Sequence, residues 1–258
     1  MTSIFSSNAS GAHGDSAAGN ALTVTAIHRK LASFVGLTNA DQDILDEILA
    51  NRRQVPAGSV LIEEGLPSPP AIAVLDGWAF RCRLFEDGRR QIMRLFLPGD
   101  FIGLNPGLPG ISSRPVIALT AMTVCALDTH QTIDRLRLSP RLWLAILSSD
   151  TRDRSMLEER IASIGRRSAY ERLAHILVEL YVRLSSVDQA EADRFHLPLT
   201  QEHLADLLGL TSIHINRVLG RLKRDGLIAV EGKSVSLLSR DRLMQIADYD
   251  PAHLMFPR

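Results

Sequence analysis

Between Ser212 and Arg224 the chain gathers Arg217, Arg221, Lys223 and Arg224 and no carboxylate. Such a run is suited to contact with anions. The protein as a whole cannot supply that attraction, because 29 Lys and Arg balance 29 Asp and Glu. Binding to a polyanion must therefore come from this local patch. At 100° per residue, Ile215, Val218, Leu219 and Leu222 share one side of a helix and must be buried. Ile213, Asn216, Arg217, Gly220, Arg221 and Arg224 share the other side. A guanidinium such as Arg217 can bond the O6 and N7 of guanine in a fork. Asn216, His214 and Ser212 can bond base edges or phosphate, and Ile213 can touch a thymine methyl or simply pack.

Those side chains need a second element to hold them. "LTQEHLADLL" reads as a helix capped by Thr200, Gly209 as the turn, and Thr211 as the cap of the basic helix. This is the pattern of a helix-turn-helix, which enters the major groove with the start of its second helix. "LIAVEGKSVSLL" comes next, with two short strands around Gly232 forming a wing. Lys233 at its tip, Arg221 and Arg224, and Thr200 and Gln201 at the first helix start are candidate phosphate contacts. Phosphate contacts give affinity and base-edge contacts give preference. A basic helical face also suits a helix that is merely solvated. Here the caps, the turn, the buried stripe, the basic face and the wing all agree on double-stranded DNA.

Upstream the character changes. From Arg53 to Asp128, short apolar runs are broken by Gly and Pro, as in an all-β barrel or roll. In "WAFRCRLF", Trp78, Phe80, Cys82 and Leu84 alternate with Ala79, Arg81, Arg83 and Phe85, and Asp87-Gly88 marks a hairpin turn. Helices are expected over Thr25 to Phe34 and from an Asn39 cap to Leu49. Ser139-Pro140 should open another helix. Along it, Trp143, Leu147, Leu157, Ile161 and Ile164 fall on a heptad-like seam with Asp150 and Arg154 as polar members. That seam fits a helix packed on its own domain or a homodimer interface. Arg167 to Leu184 is amphipathic, and "SSVDQAEADRF" reads as a loop.

Several classes drop out. No nucleophile–base set or phosphate loop appears, so no catalytic residue is assigned and no enzyme is expected. Cys82 and Cys125 are too far apart for a CxxC metal site, and no metal ligands are assigned. They suit a reducing cytoplasm. No run approaches the roughly 18 apolar residues of a membrane span. The first 24 residues lack a secretory pattern and read as a disordered tail.

The words "LDGWAFRCRLFEDGRRQIMRLFLPGDFIGL", "GRRSAYERLAHILVEL" and "QEHLADLLGLTSIHINRVLGRLKRDGLI" resemble the Crp/Fnr superfamily of bacterial transcription regulators. The likeness runs from about Phe34 to Ile246. It implies an α+β fold with a cyclic-nucleotide-binding-like β-roll over residues 25–136 and a dimerisation helix over 137–165. A winged helix-turn-helix would span 166–246, with a tail over 247–258. It further implies a homodimer on a pseudo-palindromic site, an effector acting through the roll, and RNA polymerase as a partner if the protein activates.

Departures from the family pattern are as telling. Cyclic-AMP-binding relatives use a Gly-Glu-Leu and, some ten residues on, an Arg-Ser or Arg-Thr. Here the effector-pocket candidates read Gly103, Leu104 and Asn105, then Ser113 and Arg114. No carboxylate comes after Phe101 until Asp128. A cation for the phosphate is available in Arg114, but nothing holds the ribose, so cyclic AMP should bind weakly or not at all. The two cysteines cannot hold a four-cysteine iron–sulfur cluster within one subunit. His13, His28 and His130 form no ligand pair and read as ordinary histidines, and haem remains open. Arg217 matches the family's guanine reader, whereas Ile213 replaces a frequent Glu. Two other readings stay open: a regulator controlled by abundance without any effector, and a cyclic-nucleotide-sensing module that does not bind DNA.

Overall fold

A computed structural model describes residues 24–67, 69–104 and 114–250. Asn105, Ser113, His13 and most of both expected tails lie outside the described residues. The chain opens with α1 (Ala26–Phe34) and α2 (Asn39–Ile48). The cap of α2 is Thr38, not the expected Asn39. The Thr38 hydroxyl accepts from the Asp41 amide, and the Asp41 carboxylate accepts from the Thr38 amide at 2.8 Å. This reciprocal pair satisfies two amides at once, which a cap at Asn39 would not. Ser139 holds the other Asp41 oxygen at 2.6 Å.

Eight antiparallel strands come next: β1 (Arg52–Val55), β2 (Val60–Ile62), β3 (Ala71–Asp76), β4 (Ala79–Leu84), β5 (Arg90–Phe96), β6 (Phe101–Ile102), β7 (Val116–Ala118) and β8 (Met122–Leu127). They form two four-stranded sheets, ordered β1-β8-β3-β6 and β2-β7-β4-β5. Ile72, Val74, Phe96, Ile102, Val116 and Val124 fill the space between the sheets. Gly88, at φ +83°, makes the β4–β5 turn that the Asp-Gly pair predicts.

Both sheets are buried on their outer faces too. The outer face of the β3/β8 sheet packs on α1, α2, α3 (Thr129–Leu136) and the start of α4 (Pro140–Arg166). The outer face of the β4/β5 sheet, with Trp78, Phe80, Cys82, Ile92 and Leu95, packs on the C-terminal domain. The apolar set expected on β4 thus faces away from the roll interior. Leu84 departs from it and is exposed, beyond a register shift between Arg81 and Cys82 that accompanies a bulge at Met93. The extra residue is on β5, so β4 itself runs on without interruption, and Leu84 is exposed at the hairpin end of the strand.

Helix α4 is continuous for 27 residues, roughly 40 Å at 1.5 Å per residue. Ser139 caps it through the Leu142 amide, with Pro140 in the first turn. Then come α5 (Ala169–Ser185), β9 (Ala190–Glu191), β10 (Arg194–His196), α6 (Gln201–Leu208), α7 (Ser212–Arg224), β11 (Ile228–Glu231), β12 (Ser234–Leu237) and α8 (Arg240–Ala247). The expected loop after α5 contains the β9–β10 hairpin. Its strands are two and three residues long with only Phe195 fully buried, so they leave no period in the sequence. The wing is consequently part of a four-stranded sheet, β11-β12-β10-β9.

Candidate nucleic-acid interface

Local capping builds the reading helix. The Thr200 hydroxyl accepts from the His203 amide at 3.2 Å and starts α6. Gly209 ends α6 at φ +65°, a left-handed conformation that glycine adopts without strain. Space does not require glycine here, since nothing lies within 4 Å of an added Cβ. Thr211 then accepts from the His214 amide at 3.2 Å and starts α7. Ile215, Val218 and Leu222 are buried beneath α7, with Leu219 half-buried.

Ser212, Ile213, Asn216, Arg217, Arg221 and Arg224 are exposed together, and His214 and Gly220 are half-buried at the edge. Ile213 is 76% exposed, so it does not pack at home. Arg217 and Asn216 make no hydrogen bond or ion pair among the described residues. Arg221 differs: its guanidinium lies 4.5 Å from the centre of the Tyr170 ring and 3.7 Å from an Asp225 oxygen. Tyr170 donates to Asp225 at 2.6 Å. Burial and that hydrogen bond push the Tyr170 hydroxyl up to about 12, so it stays a donor. Arg221 is thus pre-oriented at the flank of the face, while Arg217 stands free in its middle.

Thr200 and Gln201 are exposed at the start of α6, where amides point outward and favour anions. Lys233 is exposed at the wing tip, beside Gly232 at φ +59°. Its carbonyl accepts from the Leu197 amide at 2.7 Å, which ties the tip to the domain.

A second set of residues, which local sequence pattern does not single out, fixes where this unit sits. The back of α6 rests on β5. Arg90 pairs with Asp206 at 2.7 Å and lies over the Phe80 ring, whose centre is 5.7 Å from that of His203. Burial, then the Arg90 charge, keeps the His203 imidazole below its ordinary pKa. Arg172 reaches the Leu208 carbonyl at 3.1 Å.

The seam residues divide. Leu147, Leu157, Ile161 and Ile164 are exposed on α4 with Leu144, and Ile161 is 73% exposed. Trp143 is half-buried against the α1–α2 cluster of its own domain. Asp150 and Arg154 pair with each other at 2.7 Å along the helix.

In the roll, Gly103 has φ +70° and Leu104 packs outward against the helical cluster. Arg114 holds Glu64 at 2.7 Å, so its charge is already matched by a carboxylate. His28 closes the α1 cap through Nδ1, and its Nε2 lies 3.4 Å from an Asp46 oxygen. Cys82 and Cys125 are buried, and burial raises both thiols. No described helix is long and apolar enough to cross a membrane.

Residues 52–137 match the model of the cyclic nucleotide-binding domain, and residues 171–246 that of the Crp-like helix-turn-helix domain. The transcriptional activator protein FnrL of Cereibacter sphaeroides is 33% identical over 184 residues, covering 70% of this chain and 73% of that protein. The nitrogen fixation regulation protein FixK of Bradyrhizobium diazoefficiens is 32% identical, covering 78% of this chain and 84% of that protein. The solved structure of FixK2 from Bradyrhizobium japonicum superposes with a TM-score of 0.67 at 25% identity, covering 76% of this chain and 96% of that one.

Proposed function

The chain belongs to the Crp/Fnr family of transcription regulators, and on that premise we propose that it acts as a homodimer on a two-fold symmetric DNA site. It is a sequence-specific DNA-binding regulator. The observation that carries the reading is Arg217. It is exposed, without an ion-pair partner among the described residues, and fixed on a helix whose cap, turn and buried stripe leave it one direction to face. Arg217 reads a guanine, with Asn216, His214, Ser212 and Ile213 against the neighbouring bases. Thr200, Gln201, Arg221, Arg224 and Lys233 hold phosphates.

The exposed apolar stripe of Leu144, Leu147, Leu157, Ile161 and Ile164 supports pairing of two α4 helices. Large apolar side chains on one face of a long helix are costly to leave in water. Pairing there sets two α7 helices about 34 Å apart, one turn of duplex. The domain division is 25–136 for the roll, 137–165 for the pairing helix and 166–246 for the reading unit. The signal enters through the roll and is not cyclic AMP, a reading supported by the pairing of Arg114 with Glu64. Relatives named as activators suggest activation, with RNA polymerase as the partner, in the cytoplasm.

Selection of sites by the full chain from a random duplex pool tests this. The expected product is a symmetric motif with guanine in each half. Ile161→Glu should convert a dimer into a monomer by sedimentation and abolish the symmetry. A wild-type monomer, or enrichment without symmetry, would sink the dimer reading.

A further inference from the structure

Met156 lines three small cavities around α4 and α5. One of them, about 250 Å³ with its solvent mouth, is bounded by Lys30, Asp100, Arg152 and Arg183. Lys30 and Arg183 both bind Asp100, at 2.7 and 2.6 Å. Arg183 also reaches Glu179 at 3.2 Å, and Arg160 meets the same carboxylate at 3.1 Å. Arg94 pairs with Asp153. Five cations (Lys30, Arg94, Arg152, Arg160 and Arg183) therefore face three carboxylates (Asp100, Asp153 and Glu179). By count the cluster has two more cations than carboxylates, with Asp100 and Asp153 both acting on Arg152 through charge.

Arg152 is where the excess is most visible. It is 5% exposed and makes no hydrogen bond among the described residues, and its Nε has no partner. The Phe34 ring lies 5.7 Å from its guanidinium and supplies no acceptor. An arginine does not shed its proton in a protein, so burial cannot be relieved by neutralisation. Water can satisfy donors but cannot offset charge. A buried cation needs a counter-charge and acceptors together.

We propose that this cavity binds a small oxyanion, of the size of nitrate or phosphate. The guanidinium fork of Arg152 matches two oxygens of one anion, and Lys30 and Arg183 supply further charge. The recess left between these side chains is narrow and opens to solvent, with no room for a nucleotide. The lining comes from α1, the β5–β6 turn, α4 and α5. A bound anion thus fastens the first helix of the C-terminal domain to the roll and the long helix. It lies apart from the Gly103 and Arg114 region and does not depend on the DNA reading.

Equilibrium dialysis of the full chain against labelled phosphate, and separately against nitrate, tests the proposal, with ionic strength held by a bulky sulfonate. At least one anion should bind saturably, one per chain, with half-saturation below about 10 mM. The melting temperature should rise and level off over the same range. Arg152→Met keeps the side-chain bulk and removes the charge, and should abolish both effects. Arg152→Lys keeps the charge without the fork and should weaken binding at least tenfold. Wild-type protein that binds neither anion saturably overturns the proposal, as does equal binding by Arg152→Met. The wild-type dialysis decides alone if a variant fails to fold.

Discussion

Arg217 and Arg224 on α7 stand in solvent without an ion-pair partner among the described residues, whereas at the α4–α5 junction a buried Arg183 and a half-buried Arg160 close on the buried Glu179. Desolvation explains the difference. An exposed guanidinium keeps its water and costs little to leave unpaired, so it can wait for a phosphate or a base. A buried one has lost that water and needs a counter-charge, which Glu179 and Asp100 supply to Arg183. At the junction this coupling is tight. Burial alone would raise the Asp100 carboxyl, but Lys30 and Arg183 outweigh it and hold it well below the usual range. The same residue type therefore serves recognition in one place and cohesion in the other.

The contrast is broken most severely at Asp100. Asp100→Ala would leave Lys30 and Arg183 buried without that counter-charge, and should cost about 3–5 kcal/mol of unfolding free energy in a urea titration. A loss under about 1 kcal/mol would mean that water already satisfies the cluster. Arg217→Ala should do the reverse. It should weaken specific DNA binding by about 1–3 kcal/mol and relax one base position, while stability moves by no more than about 0.5 kcal/mol. Fluorescence anisotropy on matched and mutated sites, beside a melting curve, separates the two. Lys233→Ala should have the smallest effect: a loss equal on all sequences, with the salt slope reduced by about 1. A sequence-selective loss there would move Lys233 from phosphate to base.

The reading helix is legible in the sequence because its signals are local. Thr200, Gly209 and Thr211 act within three or four residues of themselves, and the apolar stripe of α7 repeats within one helix. The junction is not legible in this way. Lys30 meets Asp100 across 70 residues, and Arg90 meets Asp206 across 116. No periodicity connects such positions. The seam passes through a polar interval, Ser148 to Ser155, in which only Asp150 and Arg154 are singled out by the sequence. Its Ser149, Arg152 and Asp153 are instead buried against neighbouring elements. The family likeness locates the roll and the wing, but the masking of the outer β4/β5 face by the C-terminal domain depends on tertiary packing alone. The β9–β10 hairpin is too short to leave a pattern.

Strand β5 is a party wall. Its Phe96 belongs to the interior of the roll, while Ile92 and Leu95 form the floor beneath the C-terminal domain, and Arg90 is pinned to Asp206 of α6. No flexible tether separates the two chambers at this point. Any shift of that wall would bear directly on α6 through the Arg90–Asp206 pair. A signal entering the roll, as proposed above, would have only the thickness of a single strand to cross before it reached the helix that carries the reader.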